Sequence, residues 1–555
     1  MLYQHPGVYI EHVPSNALAI EAASTSVTAI IGHVRRGIRV TAAAIPPLPE
    51  TRKPVFVTSV GQYAAAFGPL GGGPGGIKND VAVADAVGHA VNLYFANGGT
   101  KAYIVPVAST EGTAATAGTP LIPAVVAPLP PAAAIPAQVG IEFAALAGNR
   151  RLNLTATSPG LWANGLMARL EQGGLPGEYK LTLGLQKLPV PGGVLQSATF
   201  ETVLEVITGL SEDPASSNFF TPRIAQNSTL VTAAQTNGGA ASVLPRNALI
   251  TGGLDPAAPG VADYTTAFER LKDYRDISII LLPGQLFLTA TNAATIYNNA
   301  LTHAEFMQNR LVVVDVDPGV KLISPADVQA AAFPTSTYAA LYHPSLTVAN
   351  PYYDADTAAL LPKTFVVGPA AAAAGLWARI DGTRGVWKSP AGLEATVRGA
   401  LGPTILIGNE LQDNLNEFGV NCLRSIIGPT VVWGARTLAT KAKPMFRYVA
   451  VRRTQSMIGE SLYRALQAVV FEPNDHKLWA SLRASVNDFM DGLHRAGAFQ
   501  GEKASDAYFV RCGLGSTMTQ GDIDGGIVRV VVGFAPLKPA EFVVVEIQQK
   551  VGQAS

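Results

Sequence analysis

Charge is scarce in this chain. Asp, Glu, Lys and Arg make up 14% of its 555 residues, where an average soluble protein has about 25%. The 40 basic and 40 acidic residues cancel, so no basic face is expected to track a phosphate backbone, and nucleic acid is excluded as a partner. Such a surface also does little to keep copies of the chain apart. Cysteine is scarcer still: Cys422 and Cys512 stand far apart with no partnering motif. That excludes a disulfide scaffold and predicts two buried free thiols in a reducing compartment. The longest apolar run, Phe365 to Ala378, is short and rich in alanine, so no direct membrane insertion is expected. Met1 to Pro6 lacks a basic start and an apolar core, so no signal peptide is expected and the chain is expected to fold in a cytoplasm.

Catalytic motifs are missing too. There is no Gly-x-Ser-x-Gly elbow, and neither cysteine sits in a recognisable catalytic setting. The eight histidines meet metal-ligand spacing only at His303-Ala304-Glu305, which lacks the cysteine pair of a zinc deaminase, so His303 reads as a helix-surface residue. Gly71 to Asn79 is glycine-rich, but Pro74 interrupts it and no Lys-Ser/Thr closes it, so it reads as a turn before a helix. Asp315 and Asp317 end a strand where magnesium could bind, and Asp522 and Asp524 resemble half a calcium loop. Without further carboxylates both read as caps and turns. No catalytic residue, cofactor or metal is expected.

What is present is a patterned α/β (α+β) multidomain chain, long enough for three or four domains. Thr25 to Val34, Val55 to Ser59 and Lys101 to Val107 read as strands, with a helix over Asn79 to Asn97 stopped by Gly98-Gly99. Helix Tyr264 to Leu271, strand Ile277 to Pro283, helix Ala290 to Asn309 and strand Leu311 to Val316 follow the same rhythm. Fully apolar strands in this alternation predict one parallel sheet covered on both faces. Between the two halves lie a Pro/Ala-rich linker over 109–138 and an inserted β-rich outer domain over 139–250, with strands at Leu152 to Thr157 and Tyr179 to Leu185. The halves of the α/β domain are then 21–108 and 251–350.

From 351 to 535 the pattern predicts a helix over Leu411 to Phe418, strands over Thr430 to Trp433 and Arg447 to Val451, and two amphipathic helices. The first carries Ile458, Leu462, Leu466 and Val469. The second carries Leu478, Leu482, Val486, Phe489 and Leu493, with Asn474 as N-cap and Gly497 as its stop. Tyr508 to Cys512 and Ile527 to Gly533 read as strands, the latter through alternating Val528, Val530 and Val532. Both chain ends read as detachable strands: Tyr3 to Val13 within an arm over 1–20, and Glu541 to Gln549 within an arm over 536–555. A free strand edge recruits a partner strand, which in a polymer is a joint.

Ala378 to Ala391, with Asp381, Arg384, Gly385, Trp387, Lys388 and Pro390, resembles the signature of contractile tail sheath proteins of myophages, R-type pyocins and extracellular contractile injection systems. Further matches follow in order: Asn421; Trp433, Gly434 and Arg436; Arg452 and Arg453; Glu472, Pro473 and Asn474; Phe509 to Cys512; and Ala535 to Phe542. Weaker similarity covers Pro6 to Tyr9 and Asn97-Gly98-Gly99. Ser389 departs from the usual alanine, and the linker and insert are not covered. The resemblance implies a structural protein, not an enzyme, with copies of itself, an inner tube protein, and baseplate and terminator or cap proteins as partners. Whether a sheath paralogue co-assembles stays open. It also implies strand exchange. Tyr3, Val8, Tyr9, Ile10 and Val13 would be the donated N-arm, and Phe542, Val543, Val545 and Ile547 the donated C-arm. Phe509, Arg511, Val528, Val530 and Val532 would form the receiving hairpin. With the C-terminal domain lining the lumen, Arg464, Lys477, Arg483 and Arg495 become tube-contact candidates. For Arg384, Lys388, Arg436, Arg452 and Arg453, two readings stand open: intersubunit salt bridging or contact with the inner tube, and intradomain pairing and solvation. The rivals are a non-contractile self-assembling shell and a hydrolase on the same sheet.

Overall fold

The computed structural model describes residues 19–34, 53–67, 85–107, 138–143, 150–157, 166–186, 200–237, 246–250, 258–288, 292–320, 322–351, 353, 362–439 and 443–541. Tyr3 to Val13, residues 109–137 of the linker, the Gly71 to Asn79 loop and the residues from Phe542 onward lie outside them. The chain forms two compact units: Thr25–Thr383 with Pro390–Val449, and Met1–Ser24 with Arg384–Ser389 and Ala450–Ser555.

The larger unit opens with β1 (Thr28–Gly32), β2 (Val55–Val57), α1 (Val60–Phe67), α2 (Ala86–Ala96) and β3 (Ala102–Pro106). The insert follows as β4 (Gln138–Phe143), β5 (Arg150–Ala156), β6 (Leu166–Gln172), β7 (Glu178–Gln186), β8 (Phe200–Ser211), α3 (Phe220–Asn227), β9 (Val231–Asn237) and β10 (Arg246–Leu249). It makes two antiparallel sheets, β10-β6-β7-β8 and β4-β5-β9. Leu154, Leu170, Leu181, Phe220 and Val231 are among the residues of its own core.

The α/β rhythm resumes with α4 (Val261–Arg270), β11 (Ile279–Leu281), α5 (Ala293–Met307), β12 (Leu311–Asp315), α6 (Pro325–Ala331) and β13 (Ala339–His343). Next come β14 (Leu346–Ala349), β15 (Thr364–Val367), α7 (Ala370–Arg384), β16 (Gly402–Pro403), α8 (Asn409–Asn416), β17 (Val420–Ser425) and β18 (Thr430–Trp433). One eight-stranded sheet, β18-β17-β13-β12-β11-β1-β3-β2, joins the two halves across the insert. Its six inner strands are parallel, and antiparallel β2 and β18 close the edges. The apolar runs of β1, β11, β12 and β13 are buried at every position, as a sheet packed on both faces requires. The sheet runs past the domain boundary expected at 351, because β17 and β18 add to it.

Alanine lets α7 pass through this core. Its first five residues are buried alanines, and a Cβ on the next, Gly375, would stand 2.2 Å from the Tyr94 carbonyl oxygen. Trp377, fully buried, donates from Nε1 to the Tyr342 hydroxyl at 2.9 Å, which satisfies the one polar group its ring carries inside.

The smaller unit holds α9 (Val449–Leu466), α10 (His476–Arg495), α11 (Ala504–Ala507), β19 (Tyr508–Arg511), α12 (Gln520–Asp524) and β20 (Val531–Phe534). Several sequence expectations are corrected here and above. Arg447 to Val451 does not form a strand: Val449 to Val451 begin α9, with all three residues buried. An apolar triplet has no period of its own. The N-cap of α10 is Asp475, whose carboxylate accepts from the Lys477 and Leu478 amides, both at 2.9 Å. Asn474 instead accepts from Trp479 Nε1 at 2.8 Å. The last strand begins at Val531, so Val528 and Val530 precede it. Helix α2 begins at Ala86, and α1 had no counterpart in the sequence reading. His303 is buried, stacked on Phe268 at 5.9 Å, with Nε2 3.1 Å from Arg310 Nη1. Burial, with the Arg310 charge, pushes its pKa down to about 3.

Candidate assembly surface

In the smaller unit, α9 and α10 enclose a core of Met457, Ile458, Val486, Phe489, Met490 and Leu493. The spacings of three and four along α10 place its apolar side chains on one face. Val386 and Trp387 of the signature join the same core. Gly385 makes that possible, since its φ of +87° is left-handed and a Cβ there would stand 2.4 Å from the Trp387 ring. The N-terminal stretch reaches this core through Ile20, and the Ala23 amide donates to Ser461 Oγ at 2.8 Å.

Over this core lies a two-stranded antiparallel ribbon of β19 and β20. Tyr508, Val510, Val532 and Phe534 face inward and pack on it. Ala535 N donates to Ala507 O at 2.8 Å. Antiparallel alternation then commits the main chains of Phe509, Arg511, Val531 and Gly533 to the ladder. It turns those of Tyr508 and Val510 outward along one edge, and those of Val532 and Phe534 outward along the other. Among the described residues, the ribbon's further main-chain bonds are confined to its end, where the Tyr508 amide donates to Ala504 O, Phe499 bridges Pro536 and the Gln500 amide donates to Ala535 O at 2.9 Å. Its outward face carries Phe509, 47% exposed, with the Arg511 guanidinium 5.1 Å from the ring centroid.

A second small core of Leu482, Cys512 and Met518, flanked by Trp479, Val528 and Val530, supports this end of the unit. Arg483 donates from Nη1 to the Cys512 carbonyl. At the turn between α9 and α10, Phe471 is fully exposed at φ +75°, beside exposed Glu472 and Pro473. Nothing in the sequence pattern marked Phe471 as exposed.

The structure divides the other named residues sharply. Asn421 is buried and accepts the Arg436 amide at 2.7 Å, while its Nδ2 donates to Leu341 O at 3.0 Å and Arg436 O at 2.8 Å. Gly434 gives it room, since a Cβ there would stand 2.9 Å from Asn421 Cα. Arg436, also buried, donates to Asn416 O at 2.6 Å, and Trp433 O accepts from Gln412 Nε2 at 2.7 Å. Arg452 and Arg453 are buried as well, with Arg452 Nη1 donating to Gln455 Oε1 at 2.9 Å. For these three arginines the intradomain role fits the geometry. Arg384 ends α7 exposed, and Lys388 Nζ donates to Ser389 O at 3.1 Å. Asp381 accepts from Thr25 Oγ1 at 2.6 Å, and Pro390 is buried. Of the tube-contact candidates, Arg464 pairs with Glu460 at 2.8 Å and Arg495 pairs with Asp491 while largely exposed. Lys477 is exposed.

The strand-end carboxylates cap and turn. Asp315 Oδ1 accepts from the Ala370 amide at 2.8 Å at the start of α7, Asp317 accepts from Gly319 at 2.7 Å, and Asp522 forms a capping box with Thr519. Burial pushes Asp315 up to about 7, His343 down to about 4 and the Cys422 thiol up to about 12. At the sheet's switch point, between β1 and β11, a Cβ on Gly32 would stand 2.8 Å from Val87 and 3.1 Å from Pro283 O. The crevice where an α/β enzyme would seat a ligand is packed there.

Residues 257–438 match the model of the phage tail sheath protein central domain, and residues 441–550 that of the phage tail sheath C-terminal domain. The tail sheath protein of Burkholderia phage BcepMu is 37% identical over 138 residues, which is 24% of this chain and 29% of that relative. The fold is similar to the sheath of the extracellular contractile injection system PVC in its contracted state (TM-score 0.53, 20% identity, 99% of each chain). It is also similar to the contracted helical sheath of the anti-feeding prophage (TM-score 0.55, 20% identity, 99% of this chain and 100% of that one). The sheath tail protein from Desulfitobacterium hafniense aligns over 91% of this chain and 93% of its own, with TM-score 0.57 and 12% identity.

Proposed function

Because the chain belongs to the phage tail sheath family, whose domain models match more than half of it, we propose that it is the structural subunit of a contractile sheath. It polymerises around an inner tube in an extended, metastable state and shortens to drive that tube through a target cell envelope. The observation that carries this reading is the ribbon of β19 and β20, folded onto a core yet bearing outward main-chain groups on both edges. Arms 1–20 and 536–555 of neighbouring copies add strands there, through Tyr3, Val8, Tyr9, Ile10 and Val13 on one arm and Phe542, Val543, Val545 and Ile547 on the other. Main-chain pairing of this kind holds while rigid bodies rotate.

Shortening needs no nucleotide. Contacts absent from the extended state form on contraction, and about a few kcal/mol per copy, ordinary for a modest interface, sums over many copies. Exposed Lys477 and Arg495 on α10 are the proposed tube contacts, with Arg464 and Arg483 as supporting charges. Baseplate and cap proteins bound the polymer, and the particle is a phage tail or a phage-tail-like device. The insert faces outward.

Negative-stain electron microscopy of the chain expressed alone, with and without residues 1–13, tests this reading. Hollow cylinders from the full chain and dispersed folded particles from the truncated one are expected. Cylinders that survive loss of the arm would remove strand exchange from the account, and co-expression with a tube protein should add a narrower, longer state.

A further inference from the structure

Among the described residues, the two most exposed large apolar side chains both stand at turns with left-handed backbone. Between α9 and α10, Phe471 is fully exposed at φ +75°, beside Val470 at 55% exposure. Glycine takes that conformation freely and phenylalanine takes it under strain. The Glu472 amide, donating to Val469 O at 3.2 Å, holds the turn. Strain and an unburied ring both count against the copy that bears them, so the return lies outside it. The other turn is the tip of the β17–β18 hairpin, where Ile427 is 87% exposed at φ +52° and Gly428 follows at φ +103°. Asparagine before glycine is favoured there, and a β-branched residue is strained. Arg424 ties this hairpin to α8, donating from Nη2 to Asn409 Oδ1 at 2.8 Å and from Nη1 to Gln412 Oε1 at 2.7 Å. Leu406, 77% exposed, leads into α8, and Leu401, 67% exposed, leads into β16, which lies beside β17. No charged residue falls between Ala400 and Asn409. One turn thus presents a single aromatic prong, the other a broader aliphatic surface.

We propose that Phe471 of one copy seats on the surface formed by Leu401, Leu406 and Ile427 of the next copy. The proposal rests on the sheath reading above. A helical or stacked polymer is built from heterologous contacts, in which a patch on one copy meets an unlike patch on another. Both surfaces here are apolar and uncovered within a copy, and they differ in shape as a prong differs from its seat. The prong also adjoins the ribbon. Asn474 donates from Nδ2 to Ile527 O at 3.3 Å, and the chain from Ile527 leads into β20, where the arm of a neighbouring copy pairs in that reading. A second copy therefore already lies beside Phe471.

The test measures assembly of the full chain by sedimentation, with no tube protein present, for the wild type, Phe471→Ser, Leu406→Ser and the double variant. Each single variant should keep the wild-type urea midpoint, since neither side chain is buried in its own copy. Each should raise the concentration needed for assembly about tenfold, the loss of one buried apolar side chain, and the double variant should do no worse than either. Copies bearing Phe471→Cys and copies bearing Leu406→Cys, each diluted in wild-type chain, should then form a disulfide-linked heterodimer on oxidation, because Cys422 and Cys512 are buried. Assembly of Phe471→Ser at the wild-type concentration, even if that polymer fails to take up a tube, would overturn the contact and leave the sheath reading intact. So would additive losses without a heterodimer, or Phe471→Cys linked only to itself. A wild-type chain that never assembles would overturn the sheath reading, and this inference with it.

Discussion

Gly533 lies beneath the ring of Phe509: a Cβ at Gly533 would stand 2.3 Å from Phe509 Cε1. These two residues face each other across the β19–β20 ladder, and the missing side chain is what lets the aromatic ring lie flat on the outward face under Arg511. The ring is half-exposed, so it can swing aside. Gly533→Ala should therefore cost the fold less than about 1 kcal/mol in denaturant unfolding while weakening assembly in a sedimentation assay. Equal loss of both would show that the ring serves the fold alone.

Asp315 makes stability depend on pH. Burial raises its folded pKa to about 7, above the ordinary aspartate value of 3.8, so the folded chain holds this proton more tightly than the unfolded chain does. The stabilisation is complete below the unfolded value and is lost as pH rises to about 7. The slope is on the order of 1 kcal/mol per pH unit within that window. Urea midpoints of the wild type should fall from pH 5 to 7 relative to those of Asp315→Asn, whose amide oxygen still accepts from Ala370.

Asn421→Ala should destabilise the larger unit by about 2–4 kcal/mol, because it leaves the Arg436 amide and two carbonyls buried without their partner. Thermal unfolding measures this directly. A change of under about 0.5 kcal/mol would mean the loop relaxes onto other groups.

Native-state thiol labelling at pH 8 should find both cysteines unreactive, since Cys422 and Cys512 are buried and burial raises both thiols, Cys422 to about 12. Urea should expose them together with unfolding of their respective units.

The parallel sheet was legible because β11 and β12 are apolar at nearly every position, a pattern that a two-sided core produces and little else does. Arg447 to Val451 was not, because three consecutive apolar residues suit a strand and a buried helical turn equally. The placement of α10 could be read from its stripe, but not which of Asn474 and Asp475 caps it: both side chains can accept, and the choice is decided by Trp479, whose Nε1 claims Asn474. His303 looked like surface because nothing local reveals Arg310, seven residues on, folding back against its ring. Of the ribbon, the first strand could be read, but the second was placed from Ile527 although it begins at Val531, and Phe509 and Arg511 face outward. The ribbon's open edges depend on which main-chain groups β19 and β20 use on each other, and that is a property of register.

The central claim is that the ribbon's outward main-chain groups join copies, and Val532→Pro tests it most directly. Val532 N–H points away from the ladder, so proline removes an edge donor and spares the pairing, whereas Val531→Pro removes a ladder donor and should disrupt the ribbon itself. Electron microscopy and circular dichroism of the two variants would be compared with the wild type. The account predicts a folded Val532→Pro chain that no longer forms cylinders. Cylinders of wild-type diameter and yield from that variant would contradict it.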